Sequence, residues 1–132
     1  MPRARPTLLL AHGAGAGPDS PFMTAIAALI EARGIAVVPL EFAYMAARRQ
    51  SGKRRPPPRA DTLTGELEAA ITAALPDTGR LFVGGKSMGG RVASLIADAE
   101  HTRGRIAGPV CLGYPFHPTA KPGQVRIPHL AA

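Results

Sequence analysis

Tryptophan and asparagine are missing from this chain of 132 residues, and cysteine occurs once, at Cys111. A lone cysteine excludes an internal disulfide, which favours a reducing compartment. Aromatic residues make up 5% of the chain, too few to interleave with basic groups as base-stacking platforms. No segment approaches the roughly 18 consecutive apolar residues of a membrane span. The opening "MPRARPTLLLA" imitates a signal peptide, but its apolar run stops at His12 and is better read as a strand. These absences lead us to expect a cytoplasmic protein with no membrane partner and no strong case for nucleic acid.

Acidic residues are the scarcer charge: Asp and Glu total 9 against 16 Lys and Arg, a formal net charge of +7. Such a balance permits binding of anions without demonstrating it. Hydrophobic residues reach 45%, a globular value, and the length suits one domain with its own core.

The apolar pattern alternates in type along the chain. "TLLLA" (7–11) reads as a buried strand, followed by the glycine-rich "HGAGAG". Ser20-Pro21 is a strong helix start, Phe22, Ile26, Leu29 and Ile30 recur at helical spacing, and Gly34 closes the helix. "IAVVPLEF" (35–42) is a second buried strand. Residues 43–60 read as a long basic, Pro-rich loop. A helix capped by Asp61 or Thr62 runs to about Leu75, with Leu63, Leu67 and Ile71 on one face. "RLFVGG" is a third strand, 88 to about 100 a third helix, and "GPVCLGYPF" a fourth strand with Cys111 in its core. Residues 117–132 read as an irregular tail. Apolar strands alternating with amphipathic helices predict an α/β protein, about four parallel strands with helices on both faces.

"VGGKSMGGR" (83–91) carries the chemistry. Gly85-Lys86-Ser87-Met88-Gly89 fits G-x-S-x-G, the pattern of a serine held on a tight strand-to-helix turn. Glycines around the turn remove side chains that would clash there. The first helical N–H, that of Met88, then points at the place where negative charge develops on an attacked carbonyl. A second donor must come from another loop, and "LAHGAGAG" offers the Ala14 N–H. Two other readings of these glycines fail. A P-loop needs a glycine at position 80, which is Arg80. A dinucleotide fingerprint starting at Gly13 needs a glycine at Pro18, although Glu41 stands where a ribose-binding acid would.

On these residues the chain resembles the α/β-hydrolase superfamily. "LAHGAGAGPDSPFM", "YMAARRQSGKRRPPPR", "GGKSMGGRVASL" and "CLGYPFHP" are similar to a family of small hydrolase-like proteins, distantly like dienelactone hydrolases. That family includes testis-expressed protein 30 and the core domain of subunit 3 of the NSL histone acetyltransferase complex. The resemblance implies a Ser87 nucleophile, an oxyanion hole from the Met88 and Ala14 N–H groups, a small ester or acyl substrate, and no cofactor. It also implies that the strands here are the central ones of a larger sheet.

One departure matters. The fold orders its triad as serine, acid, histidine. No Asp or Glu follows Glu100, and the histidines after Ser87 are His101, His117 and His129. The acid and base are therefore expected to lie outside this sequence, which reads as a C-terminally truncated fragment or reading frame. The competing expectation is a non-catalytic protein-interaction module on the same fold. His12, Gly13 and His117 are candidate substrate-binding residues, although a histidine placed like His12 more often packs beneath the loop. His101 reads as a solvated helix end. No His, Cys or acid cluster has metal-ligand spacing. The run Arg48, Arg49, Lys53, Arg54, Arg55, Arg59 follows the second strand and is a candidate contact for an anionic ligand, and the apolar fourth strand a candidate edge for pairing with another chain.

Overall fold

The structure, a computed structural model, describes residues 5–53, 58–75 and 80–113. Strand β1 (Thr7–Ala11) leads to helix α1 (Pro21–Glu31) and strand β2 (Ala36–Leu40). Helix α2 (Ala43–Ser51), a short 3-10 turn (Ala60–Thr62) and helix α3 (Thr64–Ala74) follow. Strand β3 (Leu81–Lys86), helix α4 (Met88–Thr102) and strand β4 (Gly108–Leu112) complete the described chain. All the strand pairs are parallel, in the order β2-β1-β3-β4.

The alternation of side chains along β1 sorts the core into two layers. Leu9 and Ala11 face one way and join Leu67, Ile71, Val83, Val92 and Ile96, so α3 and α4 cover that face. Leu8 and Leu10 face the other way onto Met23, Ile26 and Ile30 of α1. Helices therefore pack on both faces, as the periodicity predicts.

Three expectations need correction. The stretch 43–60 is not a loop throughout, because 43–51 is helical and ends at Gly52, whose φ of 69° forms a left-handed C-cap. Among the described residues β2 is an edge strand, half-exposed rather than buried, which is where Pro39 can sit without breaking a ladder on its open side. Cys111 is exposed, on β4, which is an edge strand among the described residues, with its Sγ 3.5 Å from the Gly90 carbonyl oxygen. The strand expected to run to Phe116 is described only through Leu112, and the 117–132 stretch lies outside the described residues.

The strand order fixes where a ligand can sit. From β1 the chain turns to α1 on one face and reaches β2. From β3 it turns to α4 on the other face. β1 and β3 are adjacent, in register from Thr7–Leu81 to Ala11–Gly85. Neighbouring parallel strands whose connections leave to opposite faces open a crevice at their carboxyl ends.

Candidate functional site

Both glycine-rich loops meet in that crevice. Ser87 follows β3 directly and caps α4 with φ 51° and ψ −112°, the only positive φ at a non-glycine among the described residues. Its N–H donates to the Leu112 carbonyl of β4 at 2.8 Å, and its carbonyl accepts from the Arg91 N–H at 3.0 Å. The backbone is thus pinned on both sides, while the hydroxyl makes no hydrogen bond among the described residues.

The flanking glycines are required by close approach. A Cβ on Gly85 would lie 2.5 Å from the Ala11 carbonyl oxygen and 2.7 Å from the Gly89 carbonyl carbon. One on Gly89 would lie 2.5 Å from the His12 carbonyl oxygen. Only glycine lets α4 start this close to β1. Residues 81–86 are strand, so no phosphate-cradling loop forms there, and Lys86 Nζ instead sits 4.7 Å from the ring centroid of Phe22 on α1.

The loop after β1 comes to the serine. A Cβ on Gly13 would stand 3.9 Å from Ser87 Cβ and 3.5 Å from the Lys86 carbonyl oxygen. Ala14, next in the chain, packs against the α4-side core. Two side chains hold this loop. The first is His12, which is fully buried. Its Nδ1 lies 2.6 Å from the Gly13 carbonyl oxygen, and its Nε2 lies 3.1 Å from the Phe42 N–H. A carbonyl only accepts and an amide N–H only donates, so Nδ1 carries the proton and Nε2 the lone pair. Burial pushes its pKa below the usual histidine value, outweighing the opposite pull of the Gly13 hydrogen bond and of Glu41 and Glu66. The ring offers a ligand no free polar atom, and it packs edge-on to Phe42 and Tyr44.

The second is Tyr44 of α2. Its hydroxyl donates to the Ala14 carbonyl at 3.1 Å and lies 3.5 Å from the Gly13 carbonyl and 3.9 Å from Met88 Sδ. Burial pushes its pKa up to about 12, so the phenol stays a donor. Nothing in the sequence pattern pointed to Tyr44, because its helix was not anticipated.

The Gly13–Ala14 peptide is planar and trans, so its carbonyl and its N–H point in opposite directions. His12 takes the carbonyl end. The Ala14 N–H is thereby turned away from the buried ring. The Met88 N–H belongs to the first turn of α4, whose amides have no partner within the helix.

The remaining candidates are scattered. His101 lies in the last turn of α4, about 20 Å along the helix from Ser87. His117 and His129 lie outside the described residues, as do Arg54 and Arg55. Glu41 is engaged by Arg49 at 2.6 Å, which holds its carboxyl below the usual range. Arg59 pairs with Asp61 at 3.2 Å. No group of three or more His, Cys, Asp or Glu fit for a metal occurs among the described residues. No helix among them is long and apolar enough to cross a membrane.

A parallel sheet between helix layers, with a strained serine at a strand-to-helix turn facing a glycine-rich loop, defines the α/β-hydrolase class. The chain belongs to that family: the alpha/beta hydrolase domain profile matches residues 4–132. A solved structure of the metagenome-derived lipolytic enzymes LipS and LipT superposes with TM-score 0.60 at 24% identity, over 87% of this chain and 44% of that one. A protein from Xanthomonas campestris pv. campestris assigned to the alpha/beta hydrolase superfamily superposes with TM-score 0.57 at 22% identity, over 88% of this chain and 61% of that one. At such identities the likeness establishes the fold, and the chain spans less than two thirds of either structure. A comparison with curated proteins gives no match.

Proposed function

We propose that this chain carries the nucleophile and oxyanion hole of a serine hydrolase acting on an ester or acyl substrate, akin to the small hydrolase-like family of testis-expressed protein 30 and NSL subunit 3. The observation that carries the reading is the backbone of Ser87. It holds a positive φ of 51°, which a residue other than glycine rarely adopts, at the crevice between β1 and β3, with its hydroxyl unbonded among the described residues. Ser87 Oγ attacks the carbonyl carbon, and the C=O electrons move to oxygen. The Met88 and Ala14 N–H groups hold that oxyanion. Collapse expels the alkoxide, and water later releases the acid. The serine proton needs a base, and neither described histidine supplies it, since the lone pair of His12 is taken and His101 is remote. His117 is the first candidate within the sequence.

Hydrolysis of an activated short-chain ester tests this. Base catalysis typically contributes about 10²–10⁴-fold, so a serine acting without a base attacks slowly. The 132-residue chain is therefore expected to hydrolyse the ester weakly, and Ser87→Ala to remove that activity. Equal rates for both proteins would sink the nucleophile assignment. The missing base among the described residues also favours a second reading, a non-catalytic interaction module on the same fold. In that case neither protein exceeds the buffer rate.

A further inference from the structure

Beside the loop that bears Ala14, a cleft of about 220 Å³ opens on residues that the proposed chemistry leaves unused. The loop segment Gly15–Gly17 forms one wall. Met45 and Arg48 of α2 form another, and Asp19, Glu41 and Arg49 close the rim. The space depends on missing side chains. A Cβ on Gly17 would meet Met45 Cγ at 3.3 Å and Asp19 Oδ1 at 3.2 Å, whereas one on Gly15 would meet nothing within 4 Å.

The rim charges are not equivalent. Arg49 is committed to Glu41 through Nη2 at 2.6 Å and Nε at 3.3 Å, and Asp19 adds its own attraction to the same guanidinium. Arg48 makes no ion pair among the described residues, yet it is half-buried. An arginine with no protein partner at a cleft is open to an incoming carboxylate, which its planar fork can hold through two parallel hydrogen bonds. Arg48 also lies one helical turn beyond Tyr44, about 6 Å along the axis. Its charge acts on the Tyr44 hydroxyl, which itself touches Ala14 and Met88. The cation thus stands on the same helix face as the group that meets the serine's loop.

We propose that this cleft is a subsite for a carboxylate at one end of the substrate, gripped by the Arg48 fork, with Arg49 held back by Glu41. Its volume is below the roughly 300–1,000 Å³ of drug-sized pockets, so it suits a short chain of a few carbons. A monoanionic carboxylate fits better than a phosphate dianion, because Asp19 and Glu41 share the rim. The substrate class becomes a short ester or acyl compound with a free carboxylate. The link to Ser87 rests on the hydrolase reading, whereas binding of the carboxylate does not.

Amide NMR spectra of the chain titrated with succinate test the subsite, with neutral succinamide as control. Succinate is expected to shift the Gly15, Gly17 and Arg48 resonances saturably, and succinamide to leave them unmoved. Arg48→Gln should weaken succinate binding by roughly tenfold or more, and Arg48→Lys, which keeps the charge and loses the fork, by less. A dispersed spectrum for each variant shows that it is folded, and the lysine variant serves if the glutamine one is not. Wild-type affinity in the variants, equal binding of succinamide, or no saturable shift in the wild type overturns the proposal. Saturable binding by a chain with no Ser87-dependent esterase activity would keep the subsite and remove the hydrolase reading. Ser87-dependent hydrolysis of neutral esters without succinate binding would do the reverse.

Discussion

Ser87 occupies a backbone region that glycine visits freely and other residues reach only when their surroundings force them. Here the forcing comes from the Leu112 carbonyl on one side and the first turn of α4 on the other. Such strain is typically about 1–3 kcal/mol. Ser87→Gly should therefore raise stability by roughly 1 kcal/mol in denaturant melts, while Ser87→Ala should not. Equal stability of the two variants would mean that the turn is not strained. His12 gives a second residue-scale prediction. Its folded pKa is lowered, chiefly by burial. Below the ordinary histidine value of 6.5 the unfolded chain takes up a proton that the folded ring resists. Stability from this group is thus complete above 6.5 and declines as pH falls from there towards the lowered folded value. His12→Asn supplies an amide donor and acceptor without that proton. Melting temperatures from pH 7.5 to 5 should fall more gently in the variant, and parallel slopes would reject the assignment.

At the scale of elements, local signals account for what the sequence revealed. α1 was legible because Ser20 accepts from the Met23 N–H at 3.4 Å and Pro21 opens the helix, both visible in "SP". α2 was not, because its N-cap, Phe42, has no side chain to offer. Its cap arrives from α3, where Glu66 Oε1 accepts from the Ala43 N–H at 2.8 Å across 23 residues of chain. The run of arginines and prolines hid nine residues that are mostly good helix formers, ending at Gly52. Glu66→Ala should cost about 1 kcal/mol and loosen α2, and with it the Tyr44 grip on Ala14. If the proposed ester hydrolysis holds, it should then weaken although Glu66 has no part in the proposed chemistry. Unchanged melting would show that α2 holds without this cap. The opposite end of the molecule is clamped by charge. Glu100 of α4 is buried and lies 2.8 Å from Arg105 Nε, although that N–H does not aim at the oxygen well enough for a hydrogen bond. Arg105 Nη2 donates to Thr72 Oγ1 at 2.7 Å and to the Glu68 carbonyl at 3.2 Å, joining α3 to the end of α4. Arg103 also pairs with Glu100 at 3.4 Å but is largely exposed, so Arg105→Ala leaves the buried carboxylate poorly compensated and should cost about 3 kcal/mol, read as a lower denaturation midpoint. A shift near zero would mean that water already reaches Glu100.

At the scale of the whole molecule, the crevice was legible in part. "GGKSMGG" and "LAHGAGAG" are local, and the rules of parallel sheets place such loops at the carboxyl edge. The clasp of Tyr44 and the cleft beside Arg48 were not legible, because both depend on α2 and on contacts some 30 residues apart in sequence. The strand order adds a mechanical consequence. β1 and β3 are the inner strands, each paired on both sides, and their residues are largely buried. β2 and β4 are paired on one side among the described residues, and both are half-exposed. The loops that form the proposed oxyanion hole therefore spring from the most tightly held pair in the sheet. Opening free energies vary across a protein, lowest where backbone hydrogen bonds face solvent and apolar contacts are few. Native-state hydrogen exchange should accordingly be slowest at Leu8–Ala11 and Phe82–Gly85, and faster at Val37, Val38 and Val110. This ordering matters for catalysis because a donor helps a transition state only if it is aimed beforehand. Equal protection of β3 and β4 would show that something beyond the described residues covers the β4 edge. Faster exchange in β1 than in β2 would contradict the rigid-crevice argument outright, since His12 and Gly13 could then not hold the Ala14 N–H in one direction.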